Sequence, residues 1–439
     1  MAMTSYARRL GVVSGTLSVV GGIIGSGIFL NPAIVAQRAG TAALTLGAWV
    51  IGGMVALLGA FIYAELGSRA PRAGGGYVYI RDAFGPLPAF LSGWALLLAV
   101  STGAIAAVAI TFANYLVALM GWSAGVATPI AAAAIVVLTG INVVGVAPGA
   151  YTQNVFTLLK LGALGLLLLL AFAPGAPAQT FPAETPVPGG SLLGILGAAL
   201  VPILFSYGGW QQTNYIAEEL KDPERNLPKA LLAGVAIVVV VYLAANVAYL
   251  RTLGVAGLAA STAPAADTME AWFGPAGRQL ISAGIVASTF GFLALTILAS
   301  PRVYQAMAAD GLFPGAFARL HPRFRTPVLA LVLQAAWALG LLVWGSYGDL
   351  LDWVVFADWL TFGTVALSLV VYRRRAPEAT GYRGPLYPWS VVLFVLAAAW
   401  VIVGSVQSNP GNALKGALMI GAGVPVYRWF VRRAGRRLE

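Results

Sequence analysis

The chain has 439 residues, of which 59% are hydrophobic and 9% are charged, and its formal net charge is +11. Soluble domains carry about 25% charged residues, so this composition predicts an integral membrane protein with many spans. Cysteine is absent, which excludes disulfides, thiolate metal sites and cysteine nucleophiles. The lone histidine, His321, lies in a polar loop and cannot build a multi-histidine metal site, so neither a metal nor a cofactor is expected.

Apolar runs of roughly 17–25 residues predict twelve transmembrane helices. Their approximate limits are 11–36, 42–67, 84–118, 125–142, 153–172, 191–217, 229–250, 276–301, 327–345, 350–372, 386–407 and 413–430. Two stretches, Pro174–Gly190 and Gly254–Gly274, are interpreted as external loops. No stretch resembles a separate soluble domain, so residues 1–439 are expected to form a single transmembrane unit.

Positive charge predicts the orientation, because cytoplasmic loops of membrane proteins are enriched in Lys and Arg. With both termini cytoplasmic, most of the 26 Lys and Arg fall on the cytoplasmic side; the exceptions are Arg38, Arg251, Arg278, Lys415 and the intramembrane Lys160. Topology and anchoring at the lipid surface therefore account for the basic charge, and no nucleic-acid partner is expected.

Glycine interrupts the first span, where residues Gly21–Phe29 read GGIIGSGIF. Glycine weakens a helix, and a break in lipid is tolerated only where the freed backbone is buried in protein or faces a water-filled cavity. Backbone N–H groups at the start of a half-helix form a natural anion site. The run therefore predicts a substrate site halfway across the membrane, and a transporter.

Two charged residues fall within spans, Lys160 in span 5 and Asp358 in span 10. Lys160 is either functional, as buried lysines are by default, or snorkels to the cytoplasmic surface. Asp358 either lines a pocket, where it accepts a proton or pairs with a cationic substrate, or packs beside a hydrogen-bonded neighbour. Glu65, near the inner end of span 2, is expected to pair with a cytoplasmic arginine such as Arg81.

Span 6 carries a second interruption, FSYGGW at Phe205–Trp210, with Pro202 just upstream. Close packing of small residues is the alternative for either glycine cluster alone. The two breaks lie five spans apart, an odd number, so they would be related by inversion. Paired breaks in corresponding places are the best sequence pointer to a transporter's midplane site.

At these residues the chain resembles the amino acid–polyamine–organocation (APC) superfamily, most closely the L-type amino acid transporter branch and its bacterial relatives. The similarity runs from about Gly11 to Arg375 and is weaker beyond. The matching motifs are GIIGSGIF at Gly22–Phe29, YAELG at Tyr63–Gly67, GGGYVY at Gly74–Tyr79, FSYGGW at Phe205–Trp210 and EELKDPERNLP at Glu218–Pro228.

The resemblance implies an all-α membrane protein with the leucine-transporter fold. In that fold, helices 1–5 and 6–10 are inverted repeats, here 11–172 and 191–372, and helices 11 and 12 occupy 386–430. It also implies a substrate with an α-carboxylate and an α-ammonium group. In the family, freed N–H groups hold the carboxylate, here those of Gly25, Ser26 and Gly27. Freed carbonyls hold the ammonium, and these map to Ile23, Phe205, Ser206 and Gly208.

Several relatives carry a lysine at the position of Lys160, where sodium-coupled members bind sodium, so the resemblance predicts sodium-independent transport. Many L-type members have a serine partner for this lysine on span 8, where this chain has Phe292. Ser288 and Thr289 are the nearest polar candidates for that role. Phe205 resembles an aromatic that occludes the site, and Trp210 and Trp359 are further candidates for pocket or gate residues.

The favoured function is an alternating-access carrier of amino acids, working as an exchanger or a proton symporter. A polyamine or organic-cation carrier of the same superfamily is the alternative. A membrane enzyme would need paired carboxylates, a histidine cluster or a supported Ser–Lys dyad, and none is evident. Animal L-type transporters attach to a heavy chain through a cysteine in the loop after span 3. Here Met120–Gly125 has none, so no disulfide-linked heavy chain and a bacterial inner-membrane location are expected.

Overall fold

A computed structural model describes residues 6–173, 191–344, 347–378, 381–408 and 410–435. Within these ranges the regular elements are helices, and extended pairing is limited to one parallel bridge between Leu10 and Leu220. The predicted external loop Pro174–Gly190 lies outside the described residues.

The helices follow the predicted spans closely. The first half contains α1 Val12–Ile23, α2 Gly27–Ala39, α3 Ala42–Arg69, α4 Gly76–Phe84, α5 Pro86–Ala95, α6 Ser101–Met120, α7 Ala127–Val144 and α8 Val146–Ala171. A π-helical segment, Leu96–Val100, joins α5 to α6. The second half contains α9 Leu192–Tyr207, α10 Gln212–Tyr215, α11 Pro223–Ala260, α12 Pro264–Phe273, α13 Pro275–Ala299, α14 Pro301–Ala309, α15 Val328–Trp344, α16 Tyr347–Arg375, α17 Trp389–Ser408, α18 Pro410–Gly421 and α19 Gly423–Gly435.

The all-helical membrane architecture is confirmed. Among the described residues, nine helical stretches are long and apolar enough to cross a membrane, and the bent pair α1 and α2 makes a tenth. Two predicted spans fall on shorter elements. Span 9 corresponds to the apolar helix Val328–Val343, and span 12 is divided between α18 and α19. The count of twelve therefore stays a prediction.

The first span is broken where its glycines lie. Helix α1 ends at Ile23, α2 begins at Gly27, and the two axes differ by 42°. The first amides of any α-helix lack an intrahelical acceptor, so this break places unpaired donors at the start of α2, in the interior of the protein. Around the break, Ile24, Gly25, Ser26 and Gly27 are all buried.

Span 6 breaks after Tyr207, where residues 208–211 form a turn before the single helical turn α10. Pro202 weakens the helix before the break, and Gly209 lies at the break itself. Pro202 has no N–H to donate to Ala198, and the freed Ala198 carbonyl accepts a hydrogen bond of 2.5 Å from Arg38. Gly209 has φ +119°, a conformation that side chains with a Cβ rarely adopt.

The two breaks lie against each other, backbone to backbone. A Cβ on Gly209 would collide with the carbonyl oxygen of Gly22, and a Cβ on Gly22 would lie 2.8 Å from the carbonyl oxygen of Gly209. Further along α2, a Cβ on Gly27 would lie 2.6 Å from the Ser206 hydroxyl oxygen. Glycine is therefore required here for close approach as well as for helix breaking.

Glu65 pairs with arginines, as expected, but Arg81 is not one of them. Glu65 pairs with Arg373 at 2.6 Å and with Arg69 at 2.9 Å, whereas Arg81 pairs with Asp82 and Asp310. The Arg373 contact joins α3 to the end of α16, and such neighbours in space are not visible in the sequence.

The stretch between Gly254 and Gly274, expected to be a loop, contains helix. Helix α11 is kinked at Gly254, whose φ of +67° is not helical, and helix resumes as far as Ala260; α12 follows at Pro264–Phe273. Beyond it, Arg278 pairs with Asp267 at 2.6 Å and with Glu270 at 2.5 Å.

Candidate functional site

A cavity of about 80 Å³ lies between the two broken helices. A single water needs roughly 10–15 Å³ of such space, so the cavity holds several waters or a small ligand. All seven residues expected to bind substrate line it: Ile23, Gly25, Ser26, Gly27, Phe205, Ser206 and Gly208. Segments nearly 200 residues apart in the sequence thus meet around one space.

One wall of the cavity carries backbone donors. Among the described residues, the backbone hydrogen bonds outside the helices include none donated by the amides of Ser26 or Gly27. The Gly25 amide differs, because it donates to the Ile23 carbonyl at 2.9 Å. Free amides at a helix start attract negative charge. Two of the three expected N–H groups are therefore available for an anion.

A bound ammonium group would need oxygen atoms around it. Two of the carbonyls expected to supply them already contact a tyrosine hydroxyl. The Tyr242 hydroxyl lies 3.1 Å from the carbonyl oxygen of Ile23 and 3.2 Å from that of Ser206. It is fully buried on α11 and packs between Trp49 and Tyr207. A carbonyl oxygen has two lone pairs, so the Ser206 carbonyl can accept a second donor, whereas the Ile23 carbonyl already accepts from the Gly25 amide as well. Sequence reasoning missed Tyr242.

Asn31 is a second polar residue that sequence reasoning missed. Its side-chain amide donates to the Ser206 hydroxyl at 2.8 Å and to the Pro202 carbonyl at 2.9 Å. The Ser206 hydroxyl also donates to the Pro202 carbonyl, at 2.8 Å. The Pro202 carbonyl and the Ser206 hydroxyl are thereby bonded to the half-helix α2. An asparagine inside an apolar span was the available signal.

Lys160 lies outside the cavity, fully buried against the break in span 1. Its Nζ donates to the carbonyl oxygens of Gly21 at 3.1 Å and Ile24 at 2.5 Å. The long side chain therefore points towards α1 and not along α8 to the cytoplasmic surface. This geometry favours a functional position for the ammonium over snorkelling.

The two span 8 candidates differ in what they contact. The Ser288 hydroxyl reaches the same break, 3.2 Å from the Ile24 carbonyl oxygen and 3.3 Å from that of Gly25. The Thr289 hydroxyl instead donates within its own helix, to Ile285 at 2.8 Å. Ser288 thus shares an acceptor with Lys160, whereas Thr289 satisfies its own helix backbone.

Asp358 and Trp359 line the cavity, on α16. None of the ion pairs formed within the described ranges includes Asp358. Trp210 does not line the cavity. Its indole is buried and packs against Phe362, whose ring does line the cavity, at a centroid distance of 5.4 Å. Trp210 therefore supports the cavity wall.

Two glutamine side chains at and just before the start of α10 line the cavity. They are Gln211 and Gln212, and the Gln211 oxygen accepts from the Gly209 amide at 3.0 Å. The Gln212 oxygen accepts from Thr296 of α13 at 3.2 Å, which ties α10 to the helix that carries Ser288. Phe292 also lines the cavity, and its ring lies 3.3 Å from where a Cβ on Gly25 would be.

Two broken helices that meet around a largely apolar cavity with free backbone amides in its wall, in a chain of membrane-capable helices, define a secondary transporter. The comparisons with known proteins agree. A family model described as "Amino acid permease" matches residues 10–424. The chain belongs to this amino acid permease family, within the APC superfamily, and is a transporter and not an enzyme. The resemblance found in the sequence is thereby confirmed.

Three relatives are similar over nearly the whole chain. The serine/threonine exchanger SteT of Bacillus subtilis is 31% identical over 434 residues, covering 97% of this chain and 97% of that protein. The human large neutral amino acids transporter small subunit 2 is 32% identical, covering 96% of this chain and 80% of that protein. The human b(0,+)-type amino acid transporter 1 is 31% identical, covering 98% and 89%.

Proposed function

We propose that this protein is a sodium-independent amino acid exchanger that works by alternating access, with its substrate held between the two broken helices. The observation that carries the proposal is the Lys160 ammonium at the break in span 1, bonded to the Gly21 and Ile24 carbonyls. A similar relative named as an exchanger supports the same mode of transport.

The oxygen atoms around Lys160 favour sodium-independent transport. A sodium ion in a protein is held by several oxygen ligands, and carbonyls of an unwound helix are the usual ones in transporters. At this break the ammonium already occupies two such carbonyls, and Ser288 bonds to one of them. Because the Lys160 ammonium is part of the chain, these carbonyls need no sodium ion from solution.

A Lys160 that stays charged throughout the cycle fits exchange better than proton symport. The Lys160 Nζ donates two hydrogen bonds at 3.1 and 2.5 Å, and a charged ammonium has three protons to give. Release of the proton would weaken the link between span 1 and span 5. We therefore assign Lys160 the role of a fixed cation that holds the two spans together through the cycle.

For the substrate, we propose that the free amides of Ser26 and Gly27 bind the α-carboxylate. The carbonyls of Ile23, Phe205 and Ser206 face the α-ammonium, and Tyr242 orients two of them. Helix starts favour anions and unwound carbonyls favour cations, so both ends of a zwitterion are accommodated without a charged side chain. Gly208 leaves room beside the substrate side chain.

A carrier of organic cations is the second candidate, and Asp358 is the observation that favours it. A carboxylate that lines a substrate cavity without an ion-pair partner attracts a cation. An amine without a carboxylate, however, would leave the Ser26 and Gly27 amides unpaired. We therefore prefer an amino acid, with Asp358 facing its side chain.

Uptake into proteoliposomes tests this proposal. Labelled amino acids with neutral, polar and cationic side chains are compared with the corresponding decarboxylated amines, with and without unlabelled amino acid inside. The proposal predicts uptake of amino acids that depends on internal substrate, with no uptake of the amines. Uptake of the amines alone would favour the organic-cation carrier. Uptake that needs an imposed proton gradient and no internal substrate would exclude the exchanger.

A further inference from the structure

A second cavity, which shares no lining residue with the first, lies on the face that the charge distribution predicts to be cytoplasmic. It has a volume of about 490 Å³ and is lined by Arg9, Arg323, Arg325 and Phe324, with the turn between α7 and α8 as its opposite wall. We call it the arginine groove. Its three arginines come from two distant parts of the chain, the segment before α1 and the loop between α14 and α15.

Hydrogen bonds between side chains and the backbone fix the loop that carries Arg323 and Arg325. The Nδ1 of His321 accepts hydrogen bonds from the amides of Arg323 and Phe324 at 3.3 and 3.2 Å. The Thr326 hydroxyl donates to the Val143 carbonyl at 2.9 Å, which anchors the loop to the end of α7. The lone histidine therefore serves to shape this loop.

A separate contact fixes Arg9. Its amide and that of Leu10 each donate to the Glu219 carbonyl at 3.0 Å. The Glu219 side chain in turn forms a buried ion pair of 2.8 Å with Arg302. Arg9 is thus held at the groove by the chain segment that follows the second break, and its position does not depend on its own side chain.

Among the residues that the structure describes, none forms an ion pair with the three guanidinium groups of the groove, those of Arg9, Arg323 and Arg325. Two acidic residues of this face are engaged elsewhere, Glu219 with Arg302 and Asp310 with Arg81. Topology explains why basic residues lie on this side of the membrane, but not why three of them converge on one groove. Like charges that share a groove repel each other unless an anion joins them.

We propose that the arginine groove binds a phosphate group, either that of an anionic lipid headgroup or free phosphate. Guanidinium groups match the geometry of phosphate oxygens, and basic pockets at the cytoplasmic ends of membrane helices bind anionic headgroups. A phosphate in the groove contacts both the segment before α1 and the loop 321–326. It therefore stabilises the arrangement in which these two segments lie together.

Thermal unfolding of the purified full-length protein in a neutral detergent tests the site. The probes are a short-chain phosphatidylglycerol, a short-chain phosphatidylcholine, and sodium phosphate against sodium chloride at equal ionic strength. We expect phosphatidylglycerol to raise the Tm in a saturable manner. A rise with inorganic phosphate as well identifies free phosphate as a sufficient ligand, and a rise with the anionic lipid alone identifies a headgroup.

The variants decide whether the effect belongs to the groove. The double variant Arg323→Gln/Arg325→Gln and the single variant Arg9→Gln change exposed side chains, so they are expected to fold. Arg319→Gln, an exposed arginine of the same loop outside the groove, is the matched control. The apparent affinity for the anion should fall about fivefold for each groove arginine replaced and stay unchanged in the control. No anion-dependent rise in the wild type, or an equal rise in the double variant, would overturn the proposal.

Discussion

Lys160 and Ser288, which lie on different helices, donate hydrogen bonds to the same carbonyl oxygen, that of Ile24, at 2.5 and 3.2 Å. Helices α8 and α13 are thereby joined at the break in span 1. Because Lys160 keeps its own bonds to Gly21 and Ile24, the serine is expected to support the ammonium and not to replace it.

Ser288→Ala should therefore reduce exchange only in part, by about 2- to 10-fold, the effect of one hydrogen bond. Initial rates of uptake into preloaded proteoliposomes measure this. Thr289→Val is the matched control, because the neighbouring hydroxyl bonds only to its own helix among the described residues. Equal losses in both variants would contradict a specific role for Ser288.

Tyr242→Phe should weaken substrate binding while leaving the protein folded. The substitution removes the hydroxyl that joins the Ile23 and Ser206 carbonyls but keeps the ring contacts with Trp49 and Tyr207. We expect KM for exchange to rise about 3- to 10-fold, the effect of one lost hydrogen bond.

Tyr249→Phe provides the comparison for Tyr242→Phe. The Tyr249 hydroxyl is also buried on α11 but has no hydrogen-bond partner in the described part of the chain. Its removal should leave KM unchanged. If Tyr242→Phe also leaves KM unchanged, Tyr242 does not orient the two carbonyls for substrate.

Gly209→Ala should disrupt the contact between the broken helices. Its φ of +119° is strained by about 1–3 kcal/mol for a residue with a Cβ, and the added methyl would collide with the Gly22 carbonyl. We expect a lower Tm and loss of transport. Gly162→Ala, on an exposed face of α8 with no atom within 4 Å of the new Cβ, should keep both Tm and transport. Normal transport by Gly209→Ala would show that the close contact is dispensable.

Asp358→Asn should change selectivity and not activity as a whole. The substitution keeps the shape of the side chain but removes the negative charge from the cavity wall. If Asp358 faces the substrate side chain, competition by cationic amino acids should weaken relative to neutral ones, which act as the internal control. Unchanged relative inhibition constants would assign Asp358 a packing role.

The sequence alone predicted the features that depend on a short stretch of chain. Span 2, expected at 42–67, is Ala42–Arg69, because a long apolar run permits little else in a membrane. The break at Gly25 and Ser26 and the cost of burying Lys160 were likewise visible in the sequence. The contacts of Tyr242 and Asn31 were not, because they depend on how α11 and α2 are rotated against α9. The same limit explains why Arg373, 308 residues from Glu65, was not expected as its partner, whereas the second partner, Arg69, lies only four residues away.

The central claim is that the Lys160 ammonium takes the place of a coupling sodium ion. Its most direct test is exchange in proteoliposomes preloaded with unlabelled amino acid, measured in sodium chloride and in choline chloride. We predict equal uptake by the wild type in both media. Lys160→Ala should lower uptake by about 10- to 100-fold, the effect of removing a charged hydrogen-bond donor, while Lys229→Ala on the exposed surface should not. Uptake that requires sodium, or wild-type uptake by Lys160→Ala, would contradict the account.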